Sequence, residues 1–245
     1  MKYLITGKEP GRLPDLLAGC GCTPAAPGES PDIVIAHGGD GSLLQACRQY
    51  RDLPILAIRD TIHSRLCGKH TQEELLKRFV SGEMNPRRMP LVSGKVRETV
   101  LYGLNDVFVH NSQRGNALRY SVKISGKPYA YGVIGDAVGL SSVHGATAYY
   151  RSITRSIFRV GLGLAFSNST ELVNHLVVPE DSVIAVEILR GPGVLIADNA
   201  AESVPVDSGE TVILRQSDKS VLLYGLEEFM CPICRELRHP RPLEL

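Results

Sequence analysis

The chain has 245 residues, 43% of them hydrophobic and 22% charged, with a formal net charge of +1. That length fits one large domain or two modest ones, and the near-neutral balance excludes a global field suited to nucleic acid or an anionic membrane. No apolar run approaches the roughly 20 residues of a spanning helix, and residues 1–7 lack the apolar centre of a signal peptide, so a cytoplasmic protein is expected.

Through the first 90 residues, apolar runs alternate with amphipathic stretches. The pattern predicts strands at 2–5, 32–36 and 53–58 and helices at 13–18, 42–50 and 71–81. Thr71-Gln72-Glu73-Glu74 is a capping-box start for the last helix. That order predicts an α/β domain over 1–90, a parallel sheet flanked by helices. From residue 91 short β-branched runs take over, with strands predicted at 95–102, 106–110, 120–124, 127–132 and 138–142. Further runs lie at 161–166, 175–178, 183–189, 194–197, 210–215 and 220–223. Ser125-Gly126-Lys127 reads as a hairpin turn, and 146–160 as one helix. A β-rich second domain over 91–245 is therefore expected, its tail from Pro232 either loose or returning to dock on the first domain.

Six cysteines complete the inventory. Cys47 and Cys67 lie singly in or near apolar segments and read as buried thiols. Cys20-Gly21-Cys22 and Cys231-Pro232-Ile233-Cys234 could together offer four thiolates to zinc. The single residue inside the first pair is tight for that purpose, so reduced, unliganded cysteines are the expectation.

The stretch that carries chemistry is Gly38-Gly39-Asp40-Gly41-Ser42, between a predicted buried strand and a predicted helix. A glycine-rich strand-to-helix turn brings backbone N–H groups close to phosphate oxygens. A carboxylate there repels phosphate, unless it takes a proton from a hydroxyl or holds Mg²⁺ beside the phosphate. The loop therefore points to phosphoryl transfer or a nucleotide site.

Three segments in order resemble the NAD kinase family. They are the Gly38–Ser42 loop, against the family's GGDG followed by Thr; Leu104-Asn105-Asp106, where the family has Asn-Glu after a strand; and the run from Asp136 to Tyr149. Within the last, Gly145-Ala146-Thr147-Ala148-Tyr149 is similar to the family's TGSTAY-like segment, and Ala197-Asp198-Asn199 is a weaker fourth echo. The resemblance implies an N-terminal α/β domain with an NAD-binding β-rich domain. It also implies phosphorylation of the 2′-hydroxyl of the NAD adenosine ribose, with ATP or polyphosphate as donor and Mg²⁺, in a homodimer or homotetramer. Asp40 would act on that hydroxyl as base or orienting acceptor, with Gly38, Gly39, Gly41 and Ser42 close to the ribose and donor phosphates. Asn105 and Asp106 would bind adenine or its ribose, and Asp136 the nicotinamide riboside. His144, Thr147, Ala148, Tyr149 and Ser152 would line the dinucleotide. Arg151, Arg155 and Arg159, spaced i, i+4 and i+8, would share one helical face able to meet polyphosphate or a neighbouring subunit.

One segment departs from the family. After Ile58 the family continues with Asn and a glycine-containing LGF-like run, whereas this chain reads Arg59-Asp60-Thr61-Ile62-His63-Ser64-Arg65-Leu66-Cys67-Gly68. Cationic side chains replace a backbone-lined wall. Two further readings follow: a dinucleotide-binding sensor with impaired turnover, or a kinase for another alcohol, lipid or sugar.

Overall fold

The computed structural model describes residues 1–61, 66–67, 69–113, 115–172 and 174–234. The chain divides into two units: Met1–Met89 with the described residues from Val221 onward, and Pro90–Ser220.

The first unit opens with β1 (Lys2–Gly7), α1 (Leu13–Gly19), β2 (Thr23–Pro24), β3 (Ile33–Gly38), α2 (Asp40–Gln49), β4 (Ile55–Arg59) and α3 (Gln72–Val80). β2, β1, β3 and β4 lie side by side and parallel. β3 and β4 are buried along their whole length, as strands covered on both faces must be. Ile33 and Ile35 join Leu56 and Ile58 in a core closed by Leu13 and Leu17 of α1 and Leu75 and Leu76 of α3. Val34 and Ala36, one residue out of phase, point the other way. α2 packs on β3 and β1, burying Leu43, Leu44, Ala46 and Cys47. The hydroxyl of Thr71 caps α3 by accepting from the Glu74 amide at 3.2 Å, as the capping-box reading requires.

The second unit contains β5 (Arg87–Val96, from Pro90), β6 (Thr99–Gly103), β7 (Asp106–Asn111), β8 (Leu118–Ile124), β9 (Lys127–Gly135), β10 (Ala137–Ser141), a 3₁₀ turn (Gly145–Thr147) and α4 (Tyr149–Thr154). It continues through β11 (Leu162–Ser167), β12 (His175–Val178), β13 (Ile184–Arg190), β14 (Gly193–Ala197), β15 (Ser203–Val206) and β16 (Thr211–Tyr224, to Ser220). An antiparallel sheet runs β12-β11-β10-β7-β14-β15, and β16, β13, β8 and β9 form a second antiparallel set. Val107, Val109, Val138 and Leu140 share a core with Tyr120, Val122, Ile184 and Val186. Phe108, out of phase with its neighbours, faces the opposite side and meets Tyr150 and Phe158. Ser125 and Gly126, at φ 48° and 79°, form the expected hairpin turn between β8 and β9.

Several predicted elements differ in detail. The strand expected at 95–102 is a hairpin, with Val96 paired to Thr99 and Arg97 at φ 52°. No glycine marks that turn; Arg97 is held there by Glu210 and by the Pro205 carbonyl at 2.8 Å. The helix expected at 146–160 ends at Thr154. Arg155 adopts a left-handed conformation, and the Thr154 hydroxyl donates to the Tyr150 carbonyl while accepting from the Ser156 amide. Arg151, Arg155 and Arg159 consequently share no helical face. The runs at 210–215 and 220–223 belong to one strand, within which the Ser217 hydroxyl accepts from the Lys219 amide at 2.9 Å. From Val221 the chain groups with the first unit: Leu223 and Tyr224 pair in parallel with Ile55 and Leu56, and α5 (Leu226–Phe229) follows. The expected tail beyond Cys234 lies outside the described residues, as do His63 and Arg65. Among the described residues no helix is long and apolar enough to cross a membrane.

Candidate functional site

The Gly38–Ser42 stretch is scarcely a loop. β3 ends at Gly38, α2 begins at Asp40, and Gly39 alone lies between them in an extended conformation. Gly38 sits at φ +140°, and a Cβ there would strike the Ser42 hydroxyl; a Cβ on Gly7 would strike the His37 carbonyl. The ends of β1 and β3 therefore close down on Ser42, which only glycine permits. Asp40 becomes the first residue of a ten-residue helix, where a negative charge is favoured. Its side chain is 71% exposed, and Gly41 beside it is exposed.

Asp40 Oδ1 accepts a hydrogen bond from Arg59 Nη2 at 2.8 Å. Arg59, the last residue of β4, is buried, and its surroundings fix its direction. Its Nε donates to the Phe229 carbonyl at 3.1 Å, and its guanidinium carbon lies 3.7 Å from the centre of the Phe229 ring. Gln72, at the start of α3, donates from Nε2 to the Arg59 carbonyl at 3.0 Å and meets His37 Nε2 at 3.0 Å. That assigns the other His37 nitrogen, Nδ1, as donor to the Lys8 carbonyl at 3.4 Å. The Lys8 stem lies beside Gly38, and its ammonium is 3.0 Å from the buried carboxylate of Asp60. Arg59 was visible in the sequence as a departure. Lys8 was not: it follows a strand-end glycine with no motif around it.

In the second unit the Asn105-Asp106 segment is organised by a carboxylate ninety residues away. Asp198 accepts from the backbone amides of Leu104 and Asn105, both at 2.8 Å, and of Asp106 at 3.1 Å. Asp198 itself is at φ 50°, a conformation tolerated by Asp. Asp106 opens β7, opposite Ser141 of β10. Its carboxyl is buried and its pKa is pushed up to about 7, first by desolvation and then by the charge of Asp198. The Gly145 segment presses on Asn105, whose carbonyl a Cβ on Gly145 would strike. Ser142 joins the two motifs, donating from its hydroxyl to the Leu104 carbonyl at 2.6 Å and accepting from the Gly145 amide at 3.1 Å.

The remaining residues of the resemblance are not gathered at this point: Asp136 lies beside Asn111, at the other end of β7 and β10. Asp136 is exposed and accepts from Asn168 Nδ2 at 2.8 Å. Tyr149 packs edge-on to Phe108, with ring centres 4.8 Å apart, and lies 5.5 Å from His110. Burial lowers the His110 pKa against a smaller opposing effect of Asp136. His144 precedes the 3₁₀ turn, Thr147 closes it exposed, and Ala148 is half-buried between that turn and α4. The Ser152 hydroxyl donates to the Tyr149 carbonyl within its own helix.

The cysteines do not combine as the spacing suggested. Cys231 and Cys234 are joined by Cys67 and His70, the four ligand atoms lying within 4.8 Å of one another. Cys20 and Cys22 are not in that group.

No protein-family model matches the chain. An NAD kinase from Burkholderia orbicola is 26% identical over 216 residues, covering 81% of this chain and 70% of the relative. One from Halorubrum lacusprofundi is 25% identical over 221 residues, covering 86% and 70%. Among solved structures, an NAD kinase from Archaeoglobus fulgidus in complex with ATP superposes with a TM-score of 0.76 at 18% identity, over 94% of this chain and 96% of that one. Yeast NADH kinase complexed with NADH gives 0.70 at 18% identity, over 83% of this chain but 65% of the yeast one. The fold is that of these two solved structures, and the ordered motifs together with the 25–26% identity support a divergent relative of the NAD kinases.

Proposed function

We propose that the chain transfers a phosphoryl group from ATP, or from polyphosphate, to the 2′-hydroxyl of the adenosine ribose of NAD, giving NADP. The observation that carries this reading is Asp40: an exposed carboxylate at the first residue of α2, behind two glycines, with a buried cation against it. An alcohol attacking a phosphoryl group needs positioning, charge neutralisation and a proton acceptor. Asp40 takes the hydroxyl proton through the oxygen that Arg59 leaves open. Gly38, Gly39 and Gly41 let the ribose and phosphates approach the backbone, and Ser42 packs the turn beneath them. Arg59 and Lys8 oppose the negative charge of the donor. Mg²⁺, held mainly by the nucleotide phosphates, would neutralise charge on the donor and leave that Asp40 oxygen to the hydroxyl proton.

The second unit supplies dinucleotide recognition in this reading. Asn105 meets adenine, and Asp106, partly protonated near neutral pH, donates as well as accepts there. Asp136 takes the nicotinamide riboside, while His144, Thr147, Ala148 and Ser152 line the wall that Tyr149 floors with its ring.

One observation favours a second reading, a dinucleotide sensor with impaired turnover. The Arg59 guanidinium occupies Asp40 Oδ1, so that only one carboxylate oxygen is left to take the hydroxyl proton. Purified protein given NAD, ATP and Mg²⁺ is expected to form NADP, and Arg59→Asn to lower kcat by about 100-fold. Absence of NADP with every donor and divalent metal, combined with saturable dinucleotide binding, would overturn the kinase reading in favour of the sensor. Preference for a lipid or sugar acceptor over NAD would overturn it in favour of another alcohol.

A further inference from the structure

We infer that Cys67, His70, Cys231 and Cys234 bind one Zn²⁺ as a closed structural centre. The side chains come from two places far apart in sequence. Cys67 and His70 precede α3, with the His70 amide bonded to the Cys67 carbonyl at 3.0 Å. Cys231 and Cys234 form a C-x₂-C turn after α5. Cys67 Sγ lies 3.3 Å from His70 Nδ1 and 3.4 Å from Cys234 Sγ, and Cys234 Sγ lies 3.6 Å from His70 Nδ1. A tetrahedral zinc with ordinary Zn–S and Zn–N bonds separates its ligands by about 3.5–3.8 Å. The three short edges already match that figure to within a few tenths of an ångström, and Cys231 completes the set within the 4.8 Å envelope.

The chemistry of the donors selects the metal. Three sulfurs and an imidazole suit zinc and do not suit Mg²⁺ or Ca²⁺, which take oxygen. A backbone amide reaches the cluster: Cys67 N–H donates to Cys234 Sγ at 3.2 Å. Such a bond fixes the direction of the ligating sulfur. Cys231 and Cys234 are buried, and four protein ligands leave no open position, so the ion would be structural and not catalytic.

Zinc here would cross-link positions 167 residues apart. Cys231 is two residues beyond Phe229, whose carbonyl and ring hold Arg59 against Asp40. The ion would thus fasten the segment that positions Arg59. It would be held whether or not the chain turns NAD over.

The test is metal content of the full chain, reduced, loaded with Zn²⁺ and dialysed. About one zinc per chain is expected, falling below about 0.2 in Cys67→Ser and in Cys234→Ser and staying near one in Cys20→Ser/Cys22→Ser. Co²⁺ added to the metal-free wild-type chain should give thiolate-to-metal charge-transfer bands and the intense visible bands of tetrahedral cobalt. That measurement decides the matter if the cysteine variants do not fold. A wild-type chain that retains under about 0.2 zinc and gives no tetrahedral cobalt spectrum would overturn the assignment. So would stoichiometric zinc that survives both Cys67→Ser and Cys234→Ser, or a Cys67–Cys234 disulfide in the native protein.

Discussion

The two units handle their carboxylates in opposite ways. In the first, Asp40 stands in solvent, and its partner Arg59 is the buried group, oriented by a carbonyl and an aromatic ring from the segment after β16. In the second, Asp198 is spent on three backbone amides, and Asp106 is buried with its pKa raised to about 7. The first arrangement keeps a charged group available for chemistry and places the desolvation cost on a guanidinium that is paired and hydrogen-bonded. The second uses charge to fix the backbone of residues 104–106. The two units thus differ in which group is buried: the cation Arg59 in the first and the carboxyl of Asp106 in the second.

Substitutions at three positions test that contrast, taken from the largest effect to the smallest. Asp40→Asn removes the proton acceptor but keeps a hydrogen-bond acceptor for Arg59. NADP formation should fall by about 10²–10⁴-fold in kcat, with the unfolding free energy changed by less than about 1 kcal/mol. A comparable loss of stability would mean that Asp40, too, is scaffolding.

Asp106 predicts a pH effect whose sign is fixed by its burial. The folded pKa of about 7 lies above the ordinary carboxylate value, so the folded state binds the proton more tightly. The resulting stability is fully present below about pH 4 and is lost as pH rises to about 7, by an amount on the order of 4 kcal/mol. Urea titrations across that window should find Asp106→Asn flatter with pH than the parent. An unchanged slope would place the Asp106 carboxylate in water.

Asp198→Ala leaves three amides without their acceptor and should cost on the order of 3 kcal/mol in urea unfolding. Asp198→Asn, which keeps one oxygen, should recover part of that loss. Equal effects of the two variants would show that charge, and not acceptor geometry, organises the segment.

The alternation of strands and helices through Val80 was legible because each element has a clean period and its own punctuation. Thr71 caps α3, Gly38 ends β3, and uninterrupted apolar runs mark β3 and β4 as covered on both faces. The second unit was legible strand by strand but not at its joints. The turn at Arg97 and the end of α4 at Arg155 depend on left-handed residues other than glycine or asparagine. Those conformations are held by a distant Glu210 in one case and a local Thr154 hydroxyl in the other. β15 was missed because it is a four-residue edge strand containing Pro205.

The sequence by itself determined the strand-to-helix junction and the carboxylate placed on it. A carboxylate between glycines at a strand-to-helix junction constrains chemistry through backbone geometry, and that geometry is local. It also marked Arg59 as a departure from the family and the C-x₂-C pair as possible metal ligands. Only the tertiary structure chose those partners: Asp40 and Phe229 for Arg59, Asp198 for the Leu104–Asp106 amides, and Cys67 with His70 for the C-terminal cysteines. The physical reason is range. Periodicity and turn chemistry act over a few residues, whereas the ligands of a buried charge or a metal are brought together by the pairing of strands distant in sequence.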